Sequence, residues 1–169
     1  LPSAIDTQKL DNISDIEKKD EQVAYVGRDS YEKGIDILRR IDSQIKRNVV
    51  YCTNLPWQKA MSTLKSSSIL VVPSRMESLP TVVKEAFYLK IPVIATSVGG
   101  IPELVVHQKT GILVPPEDPQ SLLSAINSLL ENPQEMERLT NNAFDFVNKN
   151  MTWYVWLPKY VEFYERLLG

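Results

Sequence analysis

Two carboxylates, Glu77 and Glu85, stand with seven residues between them in the stretch SRMESLPTVVKEAF. The spacing predicts a helix that begins near Pro80, since proline sits well in a first turn, where its missing N–H would be unpaired anyway. At about 100° per residue, Val82, Val83, Ala86, Phe87 and Leu89 form one stripe of that helix. Lys84 and Tyr88 point away from the stripe, and Glu85 lies on its edge, one turn inside the N-terminus. The amides of Leu79, Thr81 and Val82 have no acceptor within the helix. Together with the helix dipole they offer a site for an anion, most naturally a phosphate. Glu85 can accept hydrogen bonds from sugar hydroxyls such as those of a ribose, and Glu77, in the loop, can reach a second polyol. Alone, the pair favours a plainer reading, in which acids simply sit well beside a helix N-terminus.

A second loop shifts the balance. GRDSYEKG follows an apolar strand directly and carries Arg28 and Lys33 between Gly27 and Gly34. Arginine can grip a phosphate through two parallel N–H bonds, and lysine supplies a mobile point charge. The plain alternative is a solvated turn with Arg28 paired to Asp29 or Glu32. The loop matches neither a G-x-x-x-x-G-K-[ST] phosphate loop nor a G-x-G-x-x-G fingerprint. Two cations and an open helix end on one sheet edge would suit a diphosphate, with the flanking glutamates on the sugars at its two ends. After a later strand, TSVGGIPE brings Gly99 and Gly100. They permit either a close approach to a ligand or a tight connection, and Pro102 opens a short helix.

These loops need a scaffold. QVAYVG, NVVYCT, SSILVVPS, IPVIAT and TGILVPP read as five strands, and the third and fourth are apolar on both sides. Helical periodicity fills the intervals: Ile35, Leu38, Ile41 and Ile45; then Trp57, Ala60, Met61 and Leu64; then the stretch after Pro80. Pro119 opens a helix with Leu122, Leu123, Ile126, Leu129 and Leu130. A further helix starts near Pro133. Thr152 caps a last one, rich in Trp and Tyr. The first twenty residues read as polar and irregular, with SDIEKKDEQ as a charged connector. Alternating strands and helices imply an α/β layered fold with a mostly parallel sheet, whose ligands bind beyond the carboxyl ends of the strands.

Composition narrows the classes. The 169 residues are 43% hydrophobic and 24% charged, as in an ordinary soluble domain. A net charge of −2 argues against a nucleic-acid partner. A single cysteine, Cys52, excludes a disulfide framework, and a single histidine, His107, in a polar turn, excludes a paired-His zinc motif. No apolar run reaches the length of a membrane span, and no signal peptide is visible. A first residue of Leu reads as a processed form or part of a longer protein.

GRDSYEKG, PSRMESLPTVVKEAFYLKIPVIATSVGGIPELV and KTGILVPPEDPQSL together resemble the carboxyl-terminal domain of retaining glycosyltransferases of the GT-B fold, family 4. The resemblance runs in order through most of the chain. Its most specific feature is the E-x7-E pair followed by P-V-I-A-T-x-x-G-G-x-P-E. It implies a Rossmann-like half of a two-domain enzyme that binds a nucleotide-diphosphate sugar (UDP-, GDP- or ADP-linked) and needs no metal or other cofactor. Residues 1–21 would be an interdomain segment and 22–150 the nucleotide-sugar-binding domain. Residues 151–169 would form a closing helix packed toward an N-terminal domain, which would bring the acceptor glycan, lipid or small molecule. By resemblance, Arg28, Lys33 and Glu77 are catalytic: the cations hold the diphosphate and stabilise the leaving group, and Glu77 contacts the transferred sugar. Ser78, Leu79, Pro80, Thr81 and Val82 shape the phosphate loop, Glu85 binds the ribose, and Leu55 borders the base. The implied location is cytoplasmic, or peripheral at a membrane in a full-length enzyme.

Three features depart from the family pattern. Only 15 residues separate Lys33 from Val49, too few for the usual extra strand and helix with its V-G-x-G-P loop, so that unit is absent or its residues are missing from the sequence. Ser78 replaces the usual glycine, and Pro158 should kink or restart the last helix. A different class, a non-catalytic α/β binding module that kept only the scaffold, is the main rival. An epimerase or phosphorylase of related fold is a lesser one.

Overall fold

The computed structural model describes residues 4–14 and 22–168, so most of the charged connector lies outside the described residues. Five strands, β1 (Gln22–Val26), β2 (Asn48–Cys52), β3 (Ile69–Val72), β4 (Val93–Thr96) and β5 (Ile112–Val114), form one all-parallel sheet in the order β2-β1-β3-β4-β5. Among the described residues eight α-helices accompany them: α1 (Thr7–Asp11), α2 (Ile35–Ile41), α3 (Trp57–Lys65), α4 (Thr81–Tyr88), α5 (Ile101–Leu104), α6 (Pro119–Leu130), α7 (Pro133–Asn150) and α8 (Trp153–Leu168). This is the expected α/β, Rossmann-like layered fold.

Strand residues alternate between two cores because successive side chains point to opposite faces. Val23, Tyr25, Ile69, Val71 and Ile94 pack with Ile35, Leu38 and Ile41 of α2 and Leu122, Ile126 and Leu129 of α6. Ala24, Leu70, Val72, Val93 and Ala95 pack on the other face with Met61 and Leu64 of α3, Val83 and Phe87 of α4, and Ala143 and Val147 of α7. With both faces covered, β3 and β4 are buried at every position, which is why they read as unbroken apolar runs.

No strand lies between β1 and β2. They pair directly over five residues, from Gln22 opposite Asn48 to Val26 opposite Cys52. The missing unit is therefore absent from the described sheet, and β2 takes the place beside β1. The chain steps from β1 outward to β2, then returns past β1 to β3. The loops leaving β1 and β3 consequently part to opposite faces and open a crevice between them, the usual ligand position in such sheets.

Several local expectations are corrected. The first segment is not wholly irregular: α1 forms with Asp6 as its N-cap, accepting from the Lys9 amide at 3.1 Å, and Leu10 is buried. Five residues are too few to show helical periodicity, and Ile5, Leu10 and Ile13 owe their burial to distant partners. Pro80 precedes α4 as its N-cap rather than lying inside the first turn. Lys84 is fully buried instead of facing solvent, because α4 is wedged between the sheet, α1 and α7. The last helix continues through Pro158 without interruption. That stretch is exposed, so water can take the carbonyl that the proline leaves free.

Candidate functional site

The two loops of interest are clamped together at backbone level. The amides of Arg75 and Met76 both donate to the Glu32 carbonyl, at 2.8 and 3.2 Å. Gly34 has φ +65°, and a Cβ there would lie 1.9 Å from the Pro73 carbonyl oxygen, so only glycine allows this approach. Arg75 locks the junction with its side chain. Its guanidinium donates to Asp36 at 2.6 and 2.9 Å, to the Tyr31 carbonyl at 2.8 Å and to Glu117, and it stacks on the Tyr31 ring at 4.0 Å. The Arg75 hydrogen bonds hold the Asp36 carboxyl below its usual range.

A third loop supports the pair from below. The Gly100 amide donates to the Glu77 carbonyl at 3.3 Å. Cβ atoms at Gly99 and Gly100 would fall 1.7 Å from the Glu77 oxygen and 1.9 Å from the Ser78 oxygen. What approaches the Gly99–Gly100 backbone in the structure is the Glu77–Ser78 loop, which fits the reading of a tight connection.

Between the clamped loops lies a cavity of about 430 Å³. Arg28, Lys33, Glu77, Ser78, Leu79, Pro80, Thr81 and Val82 all line it, with Tyr25 and Ser74 deeper in. Lys33 Nζ donates to Glu77 Oε2 at 2.5 Å, and the Ser78 amide donates to Glu77 Oε1 at 3.2 Å. Arg28 has no ion-pair partner among the described residues. Of the partners expected for it as a plain turn, Asp29 is taken by Arg39 at 2.7 Å. The Tyr25 hydroxyl donates to the Arg28 carbonyl at 2.6 Å, and burial pushes its pKa up to about 12. Ser74 is 1% exposed, and its Oγ has no hydrogen-bond partner. A buried hydroxyl without a partner costs free energy. The N-terminus of α4 has no side-chain cap, leaving the first amides of the helix open toward the same space.

Glu85 lies elsewhere. It is 8% exposed, accepts from Trp57 Nε1 at 2.7 Å, and lines a second cavity of about 560 Å³ with Thr81, Trp57, Asp6, Lys9 and Trp153. Burial raises its carboxyl above the ordinary value, against the opposing pulls of Trp57 and Lys84. Thr81 belongs to both cavities, so the carboxylate and the cation-lined space adjoin at the tip of α4. Leu55 is exposed in the loop before α3 and belongs to neither lining.

Sequence reasoning assigned no role to Ser74, Arg75 or Trp57. The first two lie inside the quoted stretch and could have been flagged as polar residues at a strand's carboxyl end. Trp57 has the spacing of an apolar helix face, which gives no sign of its polar contact. His107 closes the turn before β5, its Nδ1 accepting from the Leu113 amide at 3.0 Å, and Cys52 is a buried free thiol. Among the described residues no group of His, Cys, Asp and Glu side chains could hold a metal ion, and no helix is long and apolar enough to cross a membrane.

Known proteins share this fold. An uncharacterized glycosyltransferase of Methanocaldococcus jannaschii is 25% identical over 167 residues, covering 82% of this chain and 43% of its own length. The structure of sucrose-phosphate synthase from Thermosynechococcus elongatus superposes with a TM-score of 0.82 at 23% identity, over 98% of this chain and 50% of that one. Anabaena HepE, solved in complex with UDP-glucose, gives a TM-score of 0.77 at 20% identity, over 88% of this chain and 49% of that one. The chain thus spans half or less of the length of these relatives. The model of the family described as "Glycosyl transferases group 1" matches residues 39–146, well over half of the sequence. The chain belongs to the glycosyl transferases group 1 family.

Proposed function

We propose that this chain is the donor-binding half of a retaining, family 4 glycosyltransferase, which transfers a hexose-type sugar from a nucleotide diphosphate to an acceptor hydroxyl. The observation that carries the reading is the cavity between β1 and β3, where Arg28, Lys33 and the uncapped tip of α4 meet. That space suits a diphosphate. When the bond from the anomeric carbon to the diphosphate oxygen breaks, its electron pair leaves with the phosphate. Arg28, Lys33 and the amides near Thr81 then stabilise the developing charge without a metal. Lys33 spends one of its three N–H donors on Glu77 and keeps the others for phosphate oxygens. Glu77, fixed from both sides, faces the transferred sugar. Glu85, one cavity further, receives the ribose. HepE, a protein of the same fold, is solved in complex with UDP-glucose, which supports a nucleotide-sugar donor of the UDP-, GDP- or ADP-linked kind.

The acceptor groove would lie on a second domain toward which residues 151–169 pack, with 1–21 as the connecting segment. The exposed Trp153, Leu157, Val161 and Phe163 of α8 fit such a contact. The whole enzyme would work in the cytoplasm or at a membrane surface, and the isolated 169 residues would turn over little or no donor. Family membership and the presence of all four charged residues weigh against a scaffold-only binding module. Calorimetric titration with UDP, GDP and ADP tests the reading. Binding of one of them, weakened in both Lys33→Ala and Glu85→Ala, is expected. A flat titration with all three would remove the donor-site assignment.

A further inference from the structure

We propose that Trp57 is the nucleoside-recognition residue of this donor site: its indole N–H holds Glu85 in place for the ribose, and its ring forms the wall on which the base stacks. The inference rests on the donor-site reading above and goes beyond it to a residue that the family's charged motif does not include. Trp57 is the first residue of α3, and the chain enters it through a sharp turn with Asn54 at φ +54°. The other apolar residues on its face of the helix, Ala60, Met61 and Leu64, are buried in the core. Trp57 instead remains 36% exposed and lines the Glu85 cavity. Core packing does not explain an indole in that position.

Its polar end is engaged. Indole nitrogen is a donor only, and here it reaches Glu85 Oε1 at 2.7 Å, which is short for an N–H···O bond and typical of a charged acceptor. The bond joins residues 28 apart in sequence, on α3 and α4, which pack on the same face of the sheet. A nearly buried carboxyl one turn into α4 could turn in several ways; this bond selects one and leaves the group facing the cavity. The ring offers the second half of the function. Aromatic faces bind bases of any sequence by stacking. The cavity joins the cation-lined space at Thr81, so a diphosphate beside Lys33 would direct its nucleoside toward Trp57.

The test compares nucleotide with inorganic pyrophosphate on the same variants. Affinities of UDP, GDP, ADP and pyrophosphate are measured for the 169-residue chain, for Trp57→Phe, which keeps a ring but no donor, and for Trp57→Ala, which keeps neither. The nucleotide that binds is expected to weaken about tenfold in Trp57→Phe and about a hundredfold in Trp57→Ala, while pyrophosphate stays within about twofold. Unchanged nucleotide affinity in Trp57→Ala overturns the inference. So does a parallel loss of pyrophosphate, which would mark general damage to the fold. A wild-type chain that binds pyrophosphate but no nucleotide overturns this inference and leaves the anion cradle standing. A chain that binds neither removes the donor-site reading as well.

Discussion

Gly100→Ala isolates the mechanical support of the site from its chemistry. The residue has φ −85° and ψ 0°, a turn conformation open to alanine as well as glycine, so the substitution does not force a left-handed backbone. Its effect comes from one contact. The new Cβ would lie 1.9 Å from the Ser78 carbonyl oxygen, and the Ser78 carbonyl carbon and a Leu79 methyl are close behind at 3.0 and 3.3 Å. Real Cβ contacts stay beyond 3.0 Å, so the Glu77–Ser78 backbone must move by more than 1 Å. That movement stretches the hydrogen bond from the Gly100 amide to Glu77, already 3.3 Å long, and pulls the Glu77 carboxylate from Lys33. Overpacking of this kind costs about 1–3 kcal/mol. For a domain of this size that is a fall in melting temperature of about 2–12 °C. Thermal unfolding followed by circular dichroism gives the first number, and calorimetric titration with the nucleotide that binds gives the second, expected to weaken by at least about tenfold. A Gly100→Ala chain that melts and binds like the parent would show that the glycine pair does not hold the Glu77 loop, and the support argument would fail.

Arg75→Ala should destabilise by about 1.5–3 kcal/mol in urea unfolding, since it leaves the Tyr31 carbonyl without its charged donor and Asp36 with Arg40 alone, at 3.1 Å; a loss below about 0.5 kcal/mol would contradict the clamp. The same pair gives a pH signature. Asp36 titrates below its ordinary value of 3.8 when folded, so its contribution is fully present above that value and is lost as pH falls through the folded pKa. The acid arm of the stability curve should therefore flatten in Arg75→Ala, and an unchanged arm would refute the linkage. Glu85 has the opposite sign. Its folded pKa lies above 4.5, so stability falls as pH rises from there through the folded value. Glu85→Gln keeps an oxygen for the Trp57 indole and removes the buried charge. It should melt higher than the parent at neutral pH, converge with it toward pH 4, and bind nucleotide more weakly. A stability gap that does not vary with pH would contradict the burial argument.

Much of the scaffold was readable one element at a time. Ile69–Val72 and Val93–Thr96 announced buried parallel strands because no position in either needs water. Pro119 and Pro133 marked helix starts through the fixed φ of proline, with Asp118 and Asn132 capping them. The residues of the cation-lined cavity were also legible, because a strand's carboxyl end is a position in the sequence as well as in space, and Arg28, Lys33 and Thr81 follow two such ends. Lys84 shows where this stops. Periodicity gives the angle of a side chain around its own helix but not what packs on each side; Tyr88, one turn on from Lys84, meets Phe144 of α7 and Asp11 of α1.

The sequence by itself thus determined the elements, their parallel layering and the charged residues at the strand ends, since periodicity, proline geometry and apolar runs act within a few residues. Tertiary structure alone decided that β2 pairs directly with β1, that Gly99 and Gly100 support the Glu77 loop, that Arg75 bolts two loops together, and that Glu85 faces its own cavity under Trp57. Each of those joins residues at least 22 positions apart in sequence, brought together by a crossover between strands. Such contacts form only once the sheet order places the strand ends side by side, and strand order is a property of the assembled core that no single window of sequence contains.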